Sequence, residues 1–461
     1  MSLSTVLKQV KKICQPQPSE RREINRIRDK VVNKVKLTAS KYDKRLEVIL
    51  GGSYAKDTWL RKDVDIDIFI RFPKSMGKES LKKIGLPIAE KAVKGYVTRL
   101  RFSEHPYLEA WVDQVLVNIV PCFKVKSGDW LSSADRSPFH TDYVRKHLQD
   151  SLNDDVRYLK KFIKTIGVYG AEIQTKGFSG YVCEVLIMRY GGFIKTLTAL
   201  SDIKESEIVS LNDSWENNDN QFHTPIVILD PVDKKRNLGA AISANSLAKM
   251  IYAARQFLAT PSTCYFSEKD RIKYTPTKKL LEEMIVVTIK HSERSPDIIW
   301  GQLQRTGNSL CRQLKSEGFT IFRYSEASDE KNESGFIFLL ERLKLSANTI
   351  NKGPDIFRRE EVDQYLLKNK KKSKNIWISD DIKINSLQTR KHQNAVTLLS
   401  KLFTRKIKNS GIAPGLINEA SKTCKISVGQ QIISMTKNKQ WLLNEVIRIS
   451  TTDQIINNGA N

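Results

Sequence analysis

Residues 51–73 read GGSYAKDTWLRKDVDIDIFIRFP, and this stretch decides the fold. The segment 47–50 before it is a short apolar strand. Gly51 and Gly52 at its end let the backbone approach a ligand closely and turn N–H groups toward a phosphate, and Ser53 adds a hydroxyl. Ten positions and Val64 later comes Asp65-Ile66-Asp67, inside a run (63–72) whose polar and apolar residues alternate and which Pro73 ends. On a strand, side chains two apart share a face. Asp65 and Asp67 therefore point one way while Ile66 and Ile68 enter a core. Two carboxylates on one rigid strand can share a pair of divalent cations about 4 Å apart, the arrangement that activates an attacking hydroxyl and steadies a leaving pyrophosphate. Oxygen ligands of this kind suit Mg²⁺.

Outward from this motif, residues 106–121 read as a hairpin. YLEAWV and VLVNIV flank a two-residue turn at Asp113-Gln114, and Pro121 closes the second strand. The turn pairs 112 with 115 and hence Glu109 with Asn118, on one face. Upstream, Ile24, Ile27, Val31 and Val35 recur at helical spacing over 20–37, with Ser19 as the expected N-cap. Downstream, helices are expected over about 141–166, 179–199 and 243–258, with a strand at VILD before Pro231. The last third is mixed: helices at 279–290 and 302–317, a strand at 336–343, an exposed basic loop at 368–374 and an amphipathic helix at 392–407.

The chain has 461 residues, 40% of them hydrophobic, and Lys plus Arg total 77 against 51 Asp plus Glu, a formal charge of +26. That excess suits a polyanionic partner, because neutralised phosphates release counterions. Residues 263–461 carry 34 basic and 21 acidic side chains, so the partner is expected to contact the last third as well as the first. The six cysteines are scattered, without a C-x-x-C pair, which argues against a zinc knuckle or a disulfide framework. No secretory leader and no apolar run near the roughly 20 residues of a membrane span is present. The reading is a reduced, cytoplasmic protein with no membrane partner.

The glycine pair and the acidic pair at this spacing resemble the polymerase β-like nucleotidyltransferases. Residues 51–73 are further similar to the archaeal class I CCA-adding enzymes around their catalytic serine and acidic pair. So are HPY (105–107), VNIVPCF (117–123), ADRSPFHTDYV (134–144), most of 156–193, and ILDPVDKKRNLGAAIS (228–243). WGQLQR (300–305) and KLSANTINKGP (344–354) fit more loosely. The resemblance spans roughly residues 20–360. It implies a mixed α/β (α+β) fold: a polymerase β-like head over 1–146, a helical neck over 147–262, and a basic α/β body and tail over 263–461. It implies template-independent addition of C, C and A to tRNA from CTP and ATP, with Mg²⁺ and with contacts to the acceptor stem and 3′ end. Asp65, Asp67 and Asn118 become the catalytic and metal-binding candidates. Gly52, Ser53, Arg61, His105, Lys160 and Tyr169 become nucleotide-binding candidates, Arg136 a structural or phosphate-binding guanidinium, and Arg236 the reader of the Watson–Crick edge. Taken alone, Lys160 and Tyr169 would read as a solvated lysine and a core tyrosine.

The sequence departs from that family at Asn118, where an aspartate is usual. An amide oxygen can ligate a metal but cannot be an anion or a base. Glu109, paired with Asn118 across the hairpin, is the candidate that returns the missing charge. Two alternatives stay open: another template-independent polymerase of the poly(A) or oligoadenylate type, and a catalytically impaired tRNA-binding protein. A homodimer is compatible with the sequence.

Overall fold

The computed structural model describes residues 2–102, 106–211, 222, 224–267, 277–404 and 410–457. It contains two units, residues 1–272 with 453–461 and residues 273–452.

The first unit opens with α1 (Leu3–Cys14) and the long α2 (Pro18–Tyr42). Ile24, Ile27, Val31 and Val35 form the buried stripe of α2, as their spacing predicts. The cap is not Ser19, however. Gln17 and Glu20 form a reciprocal capping box and Pro18 is the first helical residue, where its missing N–H costs nothing.

A five-stranded mixed sheet follows, built from β1 (Glu47–Gly51), β2 (Asp65–Pro73), β3 (Val97–Phe102), β4 (Pro106–Val112) and β5 (Val115–Lys124) in the order β1-β2-β5-β4-β3. The one-turn helix α3 (Gly52–Ala55) sits directly after β1, and α4 (Leu86–Ala92) precedes β3. One face of the sheet is core: Ile66, Ile68, Ile70 and Phe72 with Val117 and Ile119 pack with the apolar sides of α2 and α4. β5 does not stop at Pro121. It continues beside β2 to Lys124, while its pairing with β4 ends at Ile119. Proline is tolerated where a strand has lost one neighbour.

The expected helix over 141–166 is two helices, α5 (Ser133–His147) and α6 (Asn153–Thr165). The 179–199 segment is also two, α7 (Gly180–Tyr190) and α8 (Phe193–Ser201). Gly191 at φ 72° and Gly192 at φ 136° make that break, in a region glycine enters freely. β6 (Ile208–Val209) and β7 (Val227–Ile228) pair in parallel as a two-stranded sheet, and α9 (Ala244–Ala259) is capped by Ser243. Phe162, Phe193, Phe257, Tyr265 and Phe266 interlock as one aromatic cluster at the centre of these helices.

In the second unit, the segment 279–290 is not a helix. One helical turn (Lys278–Glu282) leads into β8 (Met284–Lys290), whose residues 284–289 are all buried. With β9 (Ile321–Ser328), β10 (Glu333–Leu340) and β14 (Lys425–Val428) it forms a sheet in the order β14-β8-β10-β9. β8 thus lies between two partners, and a central strand needs apolar side chains on both faces. The helix α10 (Pro296–Ser316) covers the predicted 302–317. A three-stranded sheet, β11 (Asn348–Asp355), β13 (Lys383–Thr389) and β12 (Ser373–Ile378), carries α11 (Arg359–Asn369). The basic stretch 368–374 runs from the end of α11 into β12. α12 (Ala395–Phe403) and α13 (Gln440–Ser450) complete the unit. Residues 405–407 of the helix expected at 392–407 lie outside the described residues.

Candidate active site

The carboxylates stand where alternation puts them. Ile66 and Ile68 are fully buried on the core face. Asp67 is paired with Gly51 of β1 on one side and Asn118 of β5 on the other. Asn118 is paired in turn with Glu109 of β4. The turn that fixes this pairing is the predicted one, with Asp113 at φ 51° and Gln114 at φ 69°, the two positive dihedrals of a type I′ hairpin.

Gly52 is obligatory here. Its φ is +67°, and a Cβ on it would lie 1.7 Å from Asp67 Oδ2. The Asp67 carboxylate rests on the glycine, with Ser53 next along α3. Asn118 Nδ2 donates to Asp67 Oδ1 at 2.9 Å, and Asn118 Oδ1 is buried with no hydrogen-bond partner. A buried unsatisfied acceptor beside a carboxylate asks for a donor or a cation. Desolvation pushes the Asp65 carboxyl up to about 6, with help from the charges of Asp67 and Asp63. Desolvation also raises Asp67, against the Asn118 hydrogen bond and the Lys56 charge. A divalent cation would relieve both effects, so the residues present fit a metal.

Glu109 reaches the same face, as the hairpin register predicts, but it is not a free anion. Its Oε1 accepts from Arg101 Nε at 2.8 Å, and it is 6% exposed. Among the described residues no group of three or more His, Cys, Asp or Glu side chains gathers for a metal ion. The third position is the Asn118 amide.

Lys160 is buried and fully engaged. Its Nζ donates to Thr58 O at 3.1 Å, Thr58 Oγ1 at 3.0 Å and Glu184 Oε1 at 3.0 Å. Lys56 meets the other oxygen of Glu184 at 2.5 Å, and Thr58 donates to Glu184 as well. Two ammonium groups thus share one carboxylate, leaving a net positive charge in a low dielectric. Tyr169 joins them at Gly180, where a Cβ would stand 3.0 Å from the Tyr169 hydroxyl and 3.4 Å from Lys160 Cε. Arg157 fastens the intervening loop. It donates to Trp59 O at 3.0 Å, Asp57 Oδ1 at 2.7 Å and Asp154 Oδ1 at 2.8 Å.

A second cluster surrounds Asp230, whose side chain is fully buried. It receives Arg236 Nη1 at 3.1 Å, His140 Nε2 at 2.9 Å and the Tyr181 hydroxyl at 3.3 Å. His140 stacks on Tyr181 with ring centroids 4.0 Å apart, and Lys56 lies 5.6 Å from the same tyrosine ring. Arg136 pairs with Asp233 at 3.1 Å. Arg61 lies elsewhere: it donates to Lys12 O at 2.8 Å, and its backbone N–H to Cys14 O, so it closes the C-terminal end of α1. His105 lies outside the described residues. Sequence reasoning missed Lys56, Thr58, Glu184, His140, Tyr181 and Asp230. All six stood inside recognised motifs, but nothing local announced which of them meet.

Three family models match the chain: a nucleotidyltransferase domain over residues 32–150, the second domain of tRNA nucleotidyltransferase over 154–267, and the C-terminal domain of CCA-adding enzyme over 282–437. The CCA-adding enzyme of Saccharolobus shibatae is 35% identical over 402 residues, 87% of this chain and 92% of its own length. That of Sulfurisphaera tokodaii is 37% identical over 350 residues, covering 74% and 80%. That of Pyrobaculum islandicum is 34% identical over 360 residues, covering 77% and 83%. Among solved structures, E. coli MS115-1 CdnC with ATP is 16% identical with a TM-score of 0.44, over 57% of this chain and 94% of its own. Identity of 34–37% over 80–92% of the length of these archaeal relatives, with family models that span the strand of the acidic pair and the residues of the Lys160 and Asp230 clusters, makes this chain a member of the archaeal CCA-adding enzyme family.

Proposed function

We propose that this chain adds C, C and A to the 3′ end of tRNA from CTP and ATP, without a nucleic-acid template, releasing pyrophosphate. The observation that carries the reading is the Asp65–Asp67–Asn118 face, with its orphaned amide oxygen, in a chain of this family. Asp65, Asp67 and the Asn118 oxygen would hold divalent cations, Mg²⁺ by their all-oxygen character. A cation bound there lowers the pKa of the attacking 3′-hydroxyl and offsets charge on the α-phosphate.

The chain's own residues do the rest. Gly52 leaves room at Asp67, and Ser53 meets the triphosphate. Lys56 and Lys160, with a single negative partner between them, attract and orient the polyphosphate, and Tyr169 positions the sugar beside them. Arg236 is tied to Asp230 by one nitrogen only, which leaves the rest of its fork to read the base edge. Arg136 steadies that segment through Asp233. Glu109, neutralised by Arg101, tunes the field at Asp65 rather than binding a metal itself. Arg61 is left as a structural contact. We propose a head over 1–146, a neck over 147–262 and a body and tail over 263–461. Exposed lysines at 370–372 supply affinity for the tRNA backbone. No helix among the described residues is long and apolar enough to cross a membrane. We infer work in the cytoplasm from the proposed tRNA substrate alone. Homodimerisation enters no step.

The test is incubation with tRNA lacking its CCA end and with each labelled nucleotide, singly and together. Ordered incorporation of C, C and A, abolished in Asp65→Ala and Asp67→Ala with tRNA binding retained, is the expected result. Repeated addition of A alone would indicate a poly(A)-type enzyme. Tight tRNA binding without incorporation would indicate a binding protein.

A further inference from the structure

The face that carries the acidic pair does not end at Asn118. Register continues it in two rows: Asp67, Asn118, Glu109 and Arg99 in one, and Asp65, Leu116, Trp111 and Val97 in the other. The first row is polar and, at Glu109, buried. The second is apolar and open: Trp111 is 37% exposed and Val97 73%. On the opposite face of the same strands Ala110, Val112 and Val117 are fully buried. A half-buried indole and an exposed valine, contiguous along one row, beside a cation and two strands from a catalytic carboxylate, form an apolar strip able to seat a ligand.

Resting on the reading above, we infer that the Trp111–Val97–Leu116 row is the seat of the RNA nucleotides just before the reacting 3′ end. Trp111 stacks on a base and Arg99 lies beside the backbone. Continuity argues for RNA. The 3′-hydroxyl must reach the Asp67–Asn118 end of these rows, and Trp111 lies two strand spacings, about 10 Å, from Asp65. That is a few stacked nucleotides at about 3.4 Å each. Chemistry argues for it too, because an aromatic face with an adjacent guanidinium is the usual platform for single-stranded nucleic acid, tolerant of sequence. Tolerance is needed here, since the bases entering the row change as C, C and A are added. Trp111 is thus a positioning residue for the RNA, separate from the groups that hold the nucleotide.

The experiment uses the full chain and tRNAs ending before CCA, after C and after CC, with 2-aminopurine at the penultimate position for a fluorescence readout. Trp111→Ala should raise KM for tRNA on the order of tenfold, leave KM for CTP and ATP within about twofold, and relieve the 2-aminopurine quenching seen with the parent. Trp111→Phe should restore most of the tRNA affinity, and Arg99→Gln should weaken tRNA with no change in quenching. Parental KM and quenching in a folded Trp111→Ala protein would overturn the platform. So would equal losses for tRNA and nucleotide, or a change confined to oligomeric state, which would make the row a contact between copies. A parent protein that incorporates nothing would sink the nucleotidyltransferase reading and this inference with it. An active parent with an indifferent Trp111→Ala would sink the inference alone.

Discussion

Asn118 gives its amide hydrogen to Asp67 at 2.9 Å and keeps its own oxygen buried and unpartnered. The neutral side chain thus does two jobs that a third aspartate could not combine: it bridges to the neighbouring carboxylate before metal arrives and offers an acceptor when it does. In Asn118→Asp the bridge becomes a repulsion between like charges. We expect that variant to melt several degrees below the parent in chelator. Added Mg²⁺ should raise its Tm by more than it raises the parent's, because binding stabilises the folded state. Equal Tm responses in the two proteins would mean that Asn118 does not face the metal.

Gly52→Ala is expected to cost catalysis far more than folding. A methyl there would sit 1.7 Å from Asp67 Oδ2 at a φ of +67°, so Asp67 must move. A misplaced catalytic group costs on the order of a hundredfold in rate. The strain itself is a few kcal/mol at most. Turnover near the parental rate, measured by single-nucleotide incorporation, would show that Asp67 works from another position.

The Glu184 cluster predicts a pH dependence. Burial alone would raise the Glu184 carboxyl, but Lys160, Lys56 and the hydrogen bonds from Lys56 and Thr58 outweigh it and hold it at about 2, below the usual 4.5. A depressed carboxyl stabilises the folded state above its unfolded value and loses that contribution as pH falls toward its folded one. Glu184→Gln leaves buried ammonium groups without their anion and should cost about 3–5 kcal/mol at neutral pH. The gap between parent and variant should narrow from about pH 5 downward, toward 2. Denaturant melts across that window check it, and a gap independent of pH would remove Glu184 from the account.

Asp230 and Arg236 predict base choice. Arg236→Ala should damage discrimination against UTP and GTP more than it damages CTP binding. Asp230→Asn should do the same more weakly, on the order of tenfold, by releasing the Arg236 fork and His140 together. Uniform loss for all four nucleotides would mark Arg236 as a phosphate ligand.

What the sequence revealed and what it hid follow from range. The shared face of Asp65 and Asp67 is a matter of alternation, and the pairing of Glu109 with Asn118 follows from a two-residue turn. Both are local, and both were legible. Lys56 and Glu184 stand 128 positions apart, and no spacing rule brings them together, so Lys160 read as a lone lysine. Nor did any spacing rule announce that Arg101 would donate to Glu109 at 2.8 Å. The run MIVVTI at 284–289 is apolar but for Thr288, and such a run has no period to separate strand from helix. Charge and resemblance mark residues 263–461 as a basic body and tail, and say nothing of how its end is held. Yet β14 pairs with β8, and Leu442, Val446 and Ile449 of α13 belong to the core of that unit, so deleting them would remove structure along with charge.

The turn at Asp113-Gln114 holds a larger share of the chemistry than its exposed position suggests. Side chains on a strand alternate with a period of two, so one residue added to that turn would shift β5 by one against β4. Val117 or Ile119 would then face the acidic pair and Asn118 the apolar layer. The hairpin tip therefore acts as a reading frame for the active site. Variation there is free in residue type, so long as positive dihedrals remain accessible, but not in length.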